Sequence, residues 1–148
     1  ESGPPVPPDP GDFVAVPGQR PQLTGAEISS RLGQPGVPRL VDVRAPERYS
    51  GENEPIDPVA GHIPGAVNLP STANLEADGR FRPPAEILAL YAAVGGSNGA
   101  VLYCGSGITA AQSLLALESA GLTAAIYPGS WSDWITDPSR PIATGDEP

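Results

Sequence analysis

The sequence predicts an α/β domain built on a mainly parallel sheet, and three observations carry that expectation. Short apolar runs recur at 40–43, 67–69, 100–103 and 124–127, with a further candidate at 13–16. Runs of this length and continuity suit strands buried on both faces. Segments with helical spacing lie between them, at 24–32, 84–94 and 109–120. Strands that alternate with helices in this way form crossover units and a parallel sheet.

Residues 1–12 are rich in proline and poor in apolar side chains, so they read as a linker or tail rather than core. The folded domain is expected over 13–145, beginning with a strand at 13–16. Thr24 has the chemistry of a helix N-cap, with Glu27 three residues on to complete a capping box. That helix is expected to run to Leu32 and to end at Gly33 and Gly36. After the strand at 40–43, residues 44–61 are polar and hold Pro46, Pro55 and Pro58, and they read as a long functional loop. A short strand at 67–69 follows. The next helix starts at Pro84 and places Ile87, Leu88, Tyr91 and Val94 on one face.

The strand at 100–103 leads into Cys104, Gly105, Ser106 and Gly107, then a helix from Thr109 to Ala120, capped by Gly121. A last strand at 124–127 turns through Pro128, Gly129 and Ser130 into a short helix at 131–135. In parallel sheets the working site lies beyond the carboxyl ends of the strands. Cys104, Arg44 and the turn at Pro128 all stand at such ends.

Composition removes several function classes. The chain has 148 residues and 39% hydrophobic content, enough for one sizeable core. No apolar run approaches the roughly 18 residues needed to span a bilayer. A net charge of -9 argues against nucleic acid and against an anionic membrane surface. All eight basic residues are arginine, which excludes Schiff-base lysine chemistry and a P-loop. One cysteine and one histidine argue against a protein-only metal site, and nothing calls for a cofactor. A single cysteine suits a reducing compartment, and the cytoplasm is the expected location.

Cys104 is the residue with the clearest chemical signal. Two glycines let the backbone curl so that N–H groups point at the sulfur, and a helix N-terminus adds partial positive charge. Both effects favour the thiolate. The competing reading is a small buried side chain that merely ends a core strand.

Five segments in order then point to a family. They are Val41-Asp42-Val43-Arg44, Glu47-Arg48-Tyr49, Gly61-His62-Ile63-Pro64-Gly65-Ala66-Val67-Asn68, Cys104-Gly105-Ser106-Gly107-Ile108-Thr109-Ala110 and Gly129-Ser130-Trp131-Ser132-Asp133-Trp134. This succession resembles the rhodanese sulfurtransferases, above all the carboxy-terminal catalytic half of tandem thiosulfate and 3-mercaptopyruvate enzymes. The resemblance implies a three-layer domain with a mainly parallel five-stranded sheet and helices on both faces. It implies that Cys104 takes sulfur from a small anionic donor as a persulfide and passes it to cyanide or a thiol, such as a small thiol or a thioredoxin-like protein.

By the same resemblance, Ser106 and Thr109 assist Cys104, while Arg48, Gly105, Gly107 and Ile108 bind the donor. Asp42, Arg44 and His62 are implied to be structural, and Arg44 is expected to make an ion pair with Asp42 or with another loop acid. Neutral Gly105 and Ser106 look like the mercaptopyruvate branch, where thiosulfate enzymes tend to carry basic residues. Against that, residues 50–60 hold three acids and no arginine, so the second arginine of a carboxylate clamp is missing. An upstream rhodanese domain is expected before the proline-rich start, and Trp131 and Trp134 are expected in the core or against that domain. Two rivals stay open: a persulfide carrier fed by a protein, and a binding or regulatory module without turnover. A cysteine phosphatase is disfavoured because Ala110 stands where its phosphate-clamping arginine belongs.

Overall fold

The computed structural model describes residues 11–97 and 99–148, so most of the proline-rich stretch lies outside the described residues. Four strands, β1 (Leu40–Asp42), β2 (Val67–Asn68), β3 (Ala100–Tyr103) and β4 (Ala124–Ile126), form one sheet in the order β2-β1-β3-β4. All three pairings are parallel; Asp42 stands opposite both Asn68 and Tyr103. The helices are α1 (Gly25–Ser29), α2 (Pro46–Ser50), α3 (Pro84–Ala93), α4 (Ile108–Ser119) and α5 (Ser130–Trp134), with a 3-10 turn at Ser71–Asn74.

The period of two along a strand splits the core into two layers. Ala100, Leu102 and Cys104 face a cluster with Ile87 and Tyr91 of α3 and Ala110, Leu114 and Leu117 of α4. Val101 and Tyr103 face the other cluster, with Ile28 of α1, Tyr49 of α2, and Trp131 and Trp134 of α5. Both tryptophans are fully buried, so they belong to this domain's own core rather than to a surface awaiting another domain. Among the described residues no helix is long and apolar enough to cross a membrane.

Among the described residues the sheet has four strands, not five. Phe13, Val14 and Val16 are 89%, 78% and 65% exposed and pair with nothing in the sheet. The edge of β4 is taken further along, where Leu23 N–H donates to the Ile126 carbonyl at 3.0 Å and Ile126 N–H to the Pro21 carbonyl at 3.0 Å. Pro21 has no N–H to extend the ladder and Thr24 already caps α1, so pairing shrinks to one bridge at Gln22.

The capping box at Thr24 and Glu27 forms as the spacing predicts. The helix stops at Ser29 rather than Leu32, because the Ser30 hydroxyl takes the Glu27 carbonyl at 2.9 Å and the following N–H groups reach back only three residues. The segment expected as a long loop contains α2. Pro46 starts that helix and Gly51 ends it at φ 85, but five residues are too few to show a helical period.

Candidate active site

β3 carries Cys104 to the carboxyl edge of the sheet, where it is 2% exposed. Its main chain is fixed from behind by the turn after β4. Cys104 N–H donates to the Ser130 hydroxyl at 3.1 Å, and that hydroxyl donates to the Tyr127 carbonyl at 2.9 Å. Trp131 N–H donates to the Cys104 carbonyl and Ser132 N–H to the Gly105 carbonyl, each at 3.0 Å. Ser130 is fully buried and sits at φ 55, a left-handed conformation that costs a non-glycine residue about 1–2 kcal/mol. The hydrogen bond its hydroxyl accepts and the one it donates offset that strain.

The loop then folds over the sulfur. Gly107 adopts φ 84, and its N–H donates to Cys104 Sγ at 3.1 Å. A Cβ at Gly107 would lie 2.6 Å from the Pro128 carbonyl oxygen, so no larger residue fits without moving one of two backbones. Burial pushes the Cys104 thiol pKa up. The Thr109 hydroxyl and the N–H groups of Ala110, Ser106 and Gly107 outweigh it, and the net shift is downward. The thiolate is thus favoured by a ring of donors, with α4 beginning at the same place. Ser106 and Thr109 are exposed at the mouth, and the Ile108 side chain is 77% exposed.

Arg48 lies against this loop. Its two terminal nitrogens are each 3.4 Å from where a Cβ on Gly105 would be. The guanidinium is held by acids: Nε contacts both Glu54 oxygens at 3.0 Å, and Nη2 contacts Asp57 Oδ2 at 3.2 Å. Glu54 also receives Arg44 Nη1 at 3.2 Å and the N–H groups of Ile56 and Asp57 at 3.1 and 3.2 Å. Burial alone would raise the Glu54 pKa. Arg48 and those N–H groups bring it below the usual carboxylate range instead.

Behind them Arg44 and Asp42 form a fully buried pair, Nη2 to Oδ2 at 2.6 Å, with Arg44 also donating to the Gly61 carbonyl at 2.7 Å. The Arg44 guanidinium lies 4.9 Å above the Trp131 ring. Burial disfavours its charge, but the Asp42 carboxylate holds the Arg44 pKa above its ordinary value. The ion pair expected between these two residues is present. His62 is buried, stacks on Tyr49 at 3.8 Å, and places Nδ1 2.9 Å from the Tyr49 carbonyl.

The structure therefore brings Cys104, Gly105, Gly107, Thr109 and Arg48 together and leaves Asp42, Arg44 and His62 beneath them. Sequence reasoning missed four contributors. Ser130 and Ser132 belong to a quoted segment but carried no role, because only the fold shows that they back the cysteine loop. In sequence Glu54 and Asp57 are only two of the three acids in the loop at 50–60, and the fold brings both against Arg48.

The Rhodanese-like domain family matches residues 24–137. The chain is 50% identical over 141 residues to the "Probable 3-mercaptopyruvate sulfurtransferase" of Pseudomonas aeruginosa, covering 93% of this chain and 49% of that protein. It is 37% identical over 130 residues to the "Thiosulfate sulfurtransferase" of Corynebacterium glutamicum, covering 82% of this chain and 43% of the relative. The chain thus spans about half the length of the curated relatives it matches. A variant of EanB solved as a cysteine persulfide with ergothioneine superposes with a TM-score of 0.75 at 25% identity, covering 84% of this chain and 32% of the other. With the cysteine loop, its parallel sheet and these matches in hand, the chain belongs to the rhodanese-like domain family.

Proposed function

We propose that this domain is a sulfurtransferase that moves sulfane sulfur through a persulfide on Cys104, from thiosulfate or 3-mercaptopyruvate to a thiol or cyanide. The observation that carries the reading is the sulfur itself, ringed by donors with Gly107 N–H at 3.1 Å and with its pKa lowered. Such a ring stabilises the attacking thiolate and the persulfide anion alike. The curated relatives are named for both donors, and one structural neighbour carries a cysteine persulfide.

Each half-reaction balances. The Cys104 thiolate attacks the donor's transferable sulfur, whose old bond breaks with its electron pair on the leaving group, and Cys104 becomes a persulfide anion. A thiolate or cyanide then takes the outer sulfur and Cys104 returns as thiolate. Arg48 holds the donor's anionic end, Gly105, Gly107 and Ile108 line its approach, and Ser106 and Thr109 serve the sulfur. The acceptor is a small thiol or a thioredoxin-like protein in the cytoplasm, and an upstream rhodanese domain completes the parent chain.

The test is thiocyanate release from cyanide with each donor, with Cys104→Ser as the blank. Turnover that vanishes in the variant, with a mass gain of one sulfur atom on the wild-type chain after donor alone, is the expected result. No thiocyanate and no mass gain with either donor would reject the reading.

A further inference from the structure

The acids around Arg48 are not equivalent. Glu54 is a fixed counter-ion, its side chain 3% exposed and bound to Arg44, Arg48 and two backbone N–H groups. Asp57 is the acid tied to the cysteine loop through a second side chain. One oxygen meets Arg48 Nη2 at 3.2 Å, and the other accepts the Ser132 hydroxyl at 2.8 Å. Ser132 in turn donates its N–H to the Gly105 carbonyl at 3.0 Å. Asp57 is thereby pinned beside the cysteine loop from two sides, through the arginine above Gly105 and the serine behind it.

The charge balance of this group is unusual for a site that takes anions. Asp42, Glu54 and Asp57 face Arg44 and Arg48, which leaves one net negative charge. No basic side chain lies between Cys104 and Thr109 to offset it. Close to the sulfur, attraction for an anion comes from the backbone N–H groups and the Thr109 hydroxyl, while Arg48 reaches the donor with its charge already met by Glu54 and Asp57.

We propose that Asp57 is a specificity-determining residue that disfavours doubly charged sulfur donors and favours singly charged or neutral ones. This rests on the sulfurtransferase reading and names the donor class within it. With thiosulfate, the S–S bond breaks and sulfite leaves with the electron pair as a dianion. With 3-mercaptopyruvate, the C–S bond breaks, the pair passes to carbon, and the donor's thiol proton completes pyruvate, a monoanion. Both routes give the same persulfide anion, but the first brings in and expels twice the charge beside a fixed carboxylate.

The experiment is kcat/KM for both donors in wild type, Asp57→Asn and Asp57→Glu. The Asn variant raises the thiosulfate-to-mercaptopyruvate ratio by about fivefold, the scale of one extra unit charge about 4 Å away when water screens the pair. The gain appears in KM for thiosulfate and shrinks with added salt. The Glu variant keeps the charge and holds the wild-type ratio. Asp57→Ala, read the same way, replaces the Asn variant if that chain fails to fold. An unchanged or lower ratio in the charge-removing variant overturns the proposal, as does a Glu variant that shifts as far as Asn, since loop geometry rather than charge is then at work. A wild type active with either donor but with no shift in the ratio sinks only Asp57's role; a wild type inert with both sinks the sulfurtransferase reading as well.

Discussion

Replacing Gly107 by alanine separates the cost of a left-handed residue from the cost of a crowded one. At φ 84 a non-glycine residue costs about 1–2 kcal/mol before any neighbour is considered. The new methyl group would also stand 2.6 Å from the Pro128 carbonyl oxygen, inside any contact distance. Relief requires shifting one of two backbone segments, which adds about 1–3 kcal/mol, as overpacking does elsewhere. The sum is about 2–5 kcal/mol, a large share of the roughly 5–15 kcal/mol that holds a domain folded. At this size that lowers Tm by roughly 5–15 °C. Gly79→Ala is the matched control, at φ 83 with nothing within 4 Å of the added Cβ. It should show the conformational cost alone. Urea unfolding followed by circular dichroism gives both values. Equal losses in the two variants would refute the close approach to Pro128. A Gly107→Ala chain that alkylates Cys104 at the wild-type rate and pH would refute the claim that the Gly107 N–H holds the sulfur.

Thr109→Val removes the hydroxyl that helps lower the Cys104 pKa, so the pH profile of iodoacetamide alkylation moves to higher pH, while Thr109→Ser stays near wild type. The linkage sign follows from the same shift. A thiol depressed in the folded state adds stability that is fully present above the unfolded thiol value of about 8.5 and is lost as pH falls through the folded value. Urea midpoints of the wild type should therefore rise across that window more than those of Thr109→Val. Asp42→Ala removes the nearer carboxylate from the Arg44 guanidinium, whose side chain is 1% exposed, leaves Glu54 as its counter-ion, and costs about 3–5 kcal/mol in unfolding free energy. The double replacement of Asp42 and Arg44 by apolar residues of similar volume costs less than that single change, and a double replacement that costs more would refute the account.

The fold was legible where local chemistry and period agree. The strands β3 and β4 are continuous apolar runs, β1 is apolar but for Asp42, and α4 follows a glycine-bearing turn, so their order alone yields a parallel α/β sheet. The fifth strand failed because Phe13, Val14 and Val16 carry strand-forming side chains without a partner. A strand is a pairing, and whether the edge of β4 is filled by residue 14 or residue 22 depends on chain geometry that no local pattern encodes. The site divides along the same line. Cys104 and its glycines announce themselves, since the turn chemistry is contiguous in sequence. Ser130 stands 26 residues from the amide it accepts, and Ser132 stands 75 residues from the carboxylate it holds. Contacts of that span are decided by the sheet order.

That distribution explains how an acidic chain can present an anion-binding cysteine at all. A guanidinium cluster would draw anions to the sulfur, but each of the two arginines nearest the site is already matched by a carboxylate, and Arg44 is buried beneath it. What is directed at Cys104 itself is uncharged: the N–H groups of Ser106, Gly107 and Ala110, with the Thr109 hydroxyl beside them. In the proposed cycle, backbone donors attached to a rigid turn do not reorient as charge moves from thiolate to persulfide, whereas a long side chain must. Their alignment depends on Gly107 tolerating φ 84 against Pro128 and on Ser130 tolerating φ 55 beneath Cys104. Both residues belong to the turns that meet behind the sulfur, so the conformational demands of the cradle fall where β3 and β4 end.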